Sequence, residues 1–308
     1  MKKTFRCYSI YCMYKKFCSV LLFLLIVPSL YSQEKIISFD NNWTIDLSLN
    51  YHYLLFDQED LFGCRGNKPL DVGIGIRYKK IALGYDFELP FFSEYYAPSS
   101  QSFDLNFDYI AENYIATAFL IRYNSFFVKE NQFTDLFRDS EVNLDILQVG
   151  LTFRWALNSE TYTLRGVYKL DRKQTISGGS PILGFGVYYH SIYSADDKLP
   201  GYDTKQHFIY SGLLVGYSYT WILGSGAFFN NEIVGGINPG FNTDGMKYIF
   251  IPSLFPKLTF GFHFNSWSII SSVDVKFFIT MQSYEVDSAD WHQLSKINIT
   301  LLKVSVRF

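Results

Sequence analysis

The stretch Asn42–Tyr53 reads N-W-T-I-D-L-S-L-N-Y-H-Y. Its odd positions are Trp43, Ile45, Leu47, Leu49, Tyr51 and Tyr53, and its even positions are Asn42, Thr44, Asp46, Ser48, Asn50 and His52. A period of two puts one set on each face of a β-strand. The pattern recurs. Leu70–Tyr78 and Ile81–Leu89 alternate, the second with Ala82, Gly84, Asp86 and Glu88 on its polar face. Phe103, Leu105, Phe107 and Tyr109 alternate with Ser102, Asp104, Asn106 and Asp108, and Leu147–Trp155 with Gln148, Gly150, Thr152 and Arg154. The last segment ends Leu302-Lys-Val-Ser-Val-Arg-Phe308, and no amphipathic helix of comparable clarity is present.

A soluble sandwich also alternates, but two features separate this chain from one. The segments run about 9–13 residues, enough to cross a bilayer when tilted, whereas soluble strands average about 5–6. The polar face mixes small residues with charges of both signs, as a barrel lumen accepts. In lipid a sheet has no water to satisfy its edges, so it must close. The 30 Phe and 24 Tyr supply the aromatic girdles such barrels carry. The fold class expected is all-β: a transmembrane antiparallel β-barrel with its apolar face on lipid, preceded by a signal peptide.

Lys15 and Lys16, the apolar run Val20–Val27 and the small residues before Gln33 have the order of a secretory signal peptide, 1–32, with Met13 as a plausible true start. Residues 33–308 then form one barrel domain. Removing 1–32 takes Lys2, Lys3, Arg6, Lys15 and Lys16 from 27 basic residues and no acid, leaving 22 against 29 acidic ones, a formal charge of −7. That balance argues against nucleic acid as a partner. Only Cys64 remains of four Cys, so neither an intrachain disulfide nor a thiolate cluster is open to the mature chain.

Thirteen alternating segments can be marked: 43–54, 70–79, 80–90, 101–111, 113–127, 142–157, 161–170, 181–192, 208–222, 226–237, 256–266, 267–280 and 294–308. A barrel with both ends in the periplasm needs an even number. Short turns counted from the N-terminus fall near Tyr78–Lys80, Glu112–Asn113 and Asn158–Glu160; counted back from Phe308 they fall near Asn265–Ser266 and Leu223–Ser225. The two sets lose phase between 160 and 192, so a strand there is miscounted and the expected number is 12, with 14 as the alternative. Loops are expected at 55–69, 90–100, 128–141, 193–207, 238–255 and 281–293, mostly extracellular.

The out-of-phase region contains Asp171-Arg172-Lys173-Gln174-Thr175-Ile176-Ser177-Gly178-Gly179-Ser180. Inside a lumen it would form a constriction, with Arg172, Lys173, Gln174, Ser177 and Ser180 as candidates; outside, it is a solvated loop. Arg77, Asp86 and Glu88, with Asp104, Asp108, Arg154 and Arg165, are expected in cross-lumen ion pairs. The block Asn67-Lys-Pro-Leu-Asp-Val-Gly-Ile-Gly-Ile-Arg-Tyr-Lys79 followed by Ile81-Ala-Leu-Gly-Tyr85, the block Arg172–Ser180 with Leu183-Gly184, and the closing Phe260-Gly-Phe262, Trp267 and Arg307-Phe308 resemble an uncharacterised family, domain of unknown function 4421. Gly66, Ile176 and Gly179 depart from its pattern. The resemblance implies an outer-membrane barrel of Gram-negative bacteria and brings no established activity.

An outer-membrane lipid hydrolase would carry His and Ser two apart on one strand, as base and nucleophile. The residues two beyond His52, His190, His207, His263 and His292 are Leu54, Ile192, Ile209, Asn265 and Leu294, so His263 with Asn265 is the one pair to test. Gly179-Ser180-Pro181 lacks the second glycine of a nucleophile elbow. The inward His52, His190 and His263 lie on different segments without close-spaced partners, so no metal or cofactor is expected. Gly73-Ile-Gly75 is no dinucleotide fingerprint. Three function classes remain: a small passive channel or solute transporter, which is the first choice; a non-conducting structural or surface-interaction barrel; and a lipid-modifying enzyme. Expected partners are outer-membrane lipid, the barrel-insertion machinery through the strand ending at Phe308, and a small solute.

Overall fold

The alternating segments become strands that close on themselves. The computed structural model describes residues 35–39, 42–58, 62–66, 70–88, 102–129, 141–194, 205–224, 226–243, 247–284 and 288–308. The signal-peptide and Met13 expectations fall outside these residues. Strands are β1 (Ile36–Ser38), β2 (Trp43–Gln58), β3 (Phe62–Gly66), β4 (Leu70–Tyr78), β5 (Ile81–Glu88), β6 (Ser102–Ile110), β7 (Tyr114–Lys129), β8 (Glu141–Ala156), β9 (Arg172–Gln174), β10 (Gly178–Ser194), β11 (Gln206–Ile222), β12 (Ala227–Asn242), β13 (Lys247–His263), β14 (Trp267–Tyr284) and β15 (Ser288–Arg307). Neighbours pair antiparallel in the order β2-β4-β5-β6-β7-β8-β10-β11-β12-β13-β14-β15, and β15 pairs back onto β2 with Arg307 opposite Thr44. The result is a closed barrel of 12 strands. The short β3 is an addition, paired with the far end of β2 on one side and of β7 on the other. Among the described residues no helix is long and apolar enough to cross a membrane.

The faces sort as the period-two pattern requires. Leu47 is 56% exposed and its neighbour Asp46 is 5% exposed. Outward aromatics gather at the short-turn end: the Trp43 and Tyr78 rings lie 4.5 Å apart, Phe264 and Trp267 4.0 Å apart, and Trp221 and Phe229 5.3 Å apart. Amphipathic rings in a belt are what a membrane–water boundary selects. The chain closes at the same end, where Phe308 N–H donates to the Trp43 carbonyl at 3.0 Å.

Segment 161–170 is the surplus strand of the sequence count. It forms no strand; residues Arg165–Lys169 make a single π-helical turn ended by Leu170 in a left-handed conformation (φ 57°). Its alternating Tyr162, Leu164, Tyr168 and Leu170 mimic a strand because their apolar side is buried too, inside the barrel rather than against lipid. The expected loop 238–255 is also corrected. β12 and β13 run through it, with Pro239 opposite Phe250 and Pro252 opposite Ile237. The prolines suggest a break, but the ladder continues, and the Asn238 side chain donates to the Ile251 carbonyl at 2.7 Å. Loop 55–69 likewise gives up Phe62–Gly66 to β3, while loop 90–100 lies outside the described residues.

The interior has two unlike halves. Towards the long loops, inward residues of β7, β8, β10, β11, β13, β14 and β15 form an apolar cluster that includes Phe119, Tyr188, Tyr210 and Phe278. Towards the short turns, the interior takes in residues 157–177, whose Tyr162 and Leu164 pack with Ile110, Ile115, Ile182, Leu214 and Val234 and whose Leu170 packs with Phe228 and Ile270, beside inward charged and polar side chains of the wall.

Candidate functional site

Residues 157–177 leave the wall after β8 and return to it at β10. Between these points Tyr162, Thr163, Leu164, Val167, Lys169, Leu170 and Asp171 are all buried. The segment is tied to strands all round the barrel. Tyr162 Oη donates to Ser218 Oγ of β11 at 2.7 Å. Tyr168 Oη donates to Glu232 Oε1 of β12 at 2.6 Å, and Arg154 of β8 donates to the same oxygen at 2.7 Å and to Tyr168 Oη at 2.9 Å. The Lys257 ammonium of β13 sits 3.9 Å from the centre of the Tyr168 ring. From β15, Arg307 donates to the Leu170 carbonyl at 2.6 Å. Arg77 of β4 holds Asp46 with its guanidinium and also donates to the Lys169 carbonyl and, at 3.0 Å, to Ser305 Oγ.

These contacts explain why a chain segment rests inside. Buried polar groups need partners, and the inward arginines of the wall find them on the segment's carbonyls and rings. Within the segment Asp171 pairs with Arg165 at 2.5 Å and with Lys169 at 3.1 Å. Burial pushes the Lys169 ammonium below its ordinary value, against the pull of Asp171. Burial likewise raises the Tyr162 phenol. At the mouth, Glu112 receives Arg165 at 2.8 Å and Arg172 at 2.5 Å. β9 pairs with β1, so Lys35–Phe39 is drawn to the same end, with the Arg307 guanidinium 4.0 Å over the Phe39 ring. Between the segment and the wall lies a cavity of about 220 Å³, lined by Asp46, Asp86, Asp108, Lys257, Asp274 and Lys303 among others.

The family model for Domain of unknown function (DUF4421) matches residues 36–299. The chain belongs to the DUF4421 family. No curated protein matches it. Solved structures similar to this DUF4421 barrel include OmpT, an outer membrane protein of Vibrio cholerae, as a loop L8 deletion mutant (8% identity, 84% of this chain and 100% of that one, TM-score 0.33). Others are the toluene transporter TbuX of Ralstonia pickettii (8% identity, 87% and 90%, TM-score 0.30) and the toluene transporter TodX of P. putida (8% identity, 87% and 90%, TM-score 0.28). At such identities the likeness is one of fold alone, and the function of this DUF4421 chain has to come from its own residues.

The sequence candidates divide. Gln174 is buried and bonds within the segment, to the Thr161 and Ile176 carbonyls at 2.9 and 3.3 Å. Arg172 pairs with Glu112, and Lys173 lies opposite Ile37 in the β1–β9 ladder. Ser177 Oγ accepts the Ile222 N–H at 2.9 Å, and Ser180 Oγ accepts the Asn158 N–H at 2.8 Å, so both serines pin the ends of the segment to the wall. Arg77 and Asp86 are inward as expected; the side chain of Glu88 lies outside the described residues.

His263 is inward and stacks on Phe228 at 4.7 Å, but Asn265 is exposed in the β13–β14 turn, so the two do not form a pair. His263 instead shares a 3.0 Å hydrogen bond with Ser268, its partner across the ladder. A search along one strand misses this contact. Ser268 is fully buried and also takes a 2.6 Å bond from Arg307, which makes it part of the packing around the segment. Spacing also hid Asp46, Glu232 and Tyr168, which meet Arg77 and Arg154 only once the strands are in register. The same holds for His52, Asp86 and Asp104, which three different strands bring to one place, each with a donor atom within 4.8 Å of the others.

Proposed function

We propose that this protein is an outer-membrane barrel, exported by the signal in residues 1–32 and inserted through its final strand, whose resting state is shut to passive ion flow. This favours the non-conducting class over the passive channel. The observation that carries the proposal is the buried segment Tyr162–Asp171, bonded to β4, β8, β11, β12 and β15 across the width of the lumen. The apolar cluster of the loop-side half supports it independently, since a wetted pore does not line itself with Phe119, Tyr188, Tyr210 and Phe278 in mutual contact. A barrel of this strand number stands between small side-chain-filled barrels and wide porins, so the filling rather than the count carries the conclusion.

Purified protein reconstituted in planar bilayers tests it. The native barrel is expected to give no steady single-channel current, with folding checked by heat-dependent migration on gels. Sustained conductance from the native protein overturns the proposal. A second reading, a gated route for a small polar solute, draws on the polar cavity of about 220 Å³ beside the segment. It predicts brief openings whose frequency rises when the Arg77 contacts are removed.

A further inference from the structure

Where the short strands β4, β5 and β6 end on the loop side, four acid–base side chains converge: His52 of β2, Asp71 of β4, Asp86 of β5 and Asp104 of β6. His52 is 4% exposed and Asp104 5%. His52 Nδ1 is hydrogen-bonded to Asp71, which fixes the ring and turns Nε2 towards Asp86 Oδ2, 4.0 Å away. That Nε2 is buried with no hydrogen-bond partner. Asn50 donates to Asp86 Oδ1 at 3.0 Å and Asn106 to Asp104 Oδ1 at 2.8 Å, so each carboxylate already has its own orienting donor. Gly73 keeps the space open, because a Cβ there would collide with Asp86 and Ser48.

We propose that His52, Asp86 and Asp104 bind one divalent transition-metal ion, with Asp71 as the positioning residue. Three points of chemistry support this. A carboxylate on the far nitrogen of a histidine is the usual outer partner of a metal-bound imidazole. The donor set, one imidazole and two carboxylates, suits zinc and its first-row neighbours rather than the hard ions magnesium and calcium. Bonds of about 2.1 Å place two donors at most about 4.2 Å apart; the present 4.8 Å envelope needs only a small side-chain rotation to close. The Lys296 ammonium pairs with Asp104 and lies beside Asp86, so a bound ion shares the Asp104 carboxylate with it. Asp86 and Asn50 also line the polar cavity, which gives an ion a way in.

The full chain in detergent, stripped with a chelator, is titrated with zinc chloride; calorimetry reads affinity and elemental analysis reads stoichiometry. Uptake of one zinc per barrel is expected. Asp71→Asn should weaken binding about ten- to hundredfold, and His52→Gln by more, while His190→Gln and His263→Gln leave it unchanged. Native protein that takes up no zinc overturns the proposal. So does a folded His52→Gln barrel that binds as the native one does. Should neither cluster variant fold, manganese-loaded native protein decides by pulsed EPR: a coupling to a single imidazole nitrogen supports the site, and none overturns it.

Discussion

The two halves of the lumen are filled in different ways. On the loop side the wall fills itself, with inward Phe119, Tyr188, Tyr210 and Phe278 from separate strands meeting at ring separations of 5.0 to 6.4 Å. On the turn side a length of chain does it, held by Arg77, Arg154 and Arg307. Side chains of the wall can retract only if the strands move. The segment is held by serine bonds near its ends, by charge-assisted bonds from Arg77, Arg154 and Arg307 to Tyr168, Lys169 and Leu170, and by the apolar packing of Tyr162, Leu164 and Leu170, so part of its attachment depends on the charges around it. The loop-side filling is part of the wall itself; the turn-side filling is a separate length of chain.

The largest effect that separates the halves is expected at Arg77. Arg77→Met leaves Asp46 with Lys303 as its remaining cationic partner, 3.4 Å away, and frees the Lys169 carbonyl, at a cost of about 3–5 kcal/mol, the usual price of breaking a buried pair, read from urea unfolding in micelles. A loss under about 1 kcal/mol, the range of exposed pairs, would mean the segment is held elsewhere. On the loop side Phe278→Ala is expected to cost about 3 kcal/mol, the low end for such truncations, because a void of about 50 Å³ beside it already lets neighbours relax. This variant should stay electrically silent, since the turn-side segment remains; a current through it alone would break the comparison. Gly150→Ala should cost about 1–3 kcal/mol by overpacking, as a Cβ there runs into the Phe119 ring. Smallest is Glu112→Gln, whose carboxylate is half exposed. A loss within about 1 kcal/mol, fading with added salt, is expected, whereas the loop-side variants should be indifferent to salt.

The wall of this protein is legible in its sequence, and the filling is not. Thr44, Asp46, Asn50 and His52 alternate with Trp43, Ile45 and Leu47, and that rhythm fixes which face each strand turns outward. Parity then exposes the surplus segment, even though its own pattern reads as a strand. What alternation cannot say is what lies against an apolar face. Leu164 and Leu170 look like lipid-facing residues, and only the closed barrel shows them buried in the lumen. Inward Leu144, Ile146, Phe208 and Ile249 are apolar where a polar lumen was expected, because the loop-side interior is packed rather than wet. The candidate sites suffer the same limit. Ser177, Ser180 and Gln174 stand out by composition, but the partners of Arg77, Arg154 and His52 come from strands distant in sequence and become neighbours only through register.

The small strand Phe62–Gly66 has a consequence for shape. It spans directly from β2 to β7 above the place where β4, β5 and β6 stop. Among the described residues the circuit at that height is β2, β3, β7, β8 and β10 through β15, ten ribbons where twelve run below. With about 4.8 Å between adjacent ribbons, roughly 10 Å of girth is lost from one rim to the other, so the barrel tapers towards its long-loop rim.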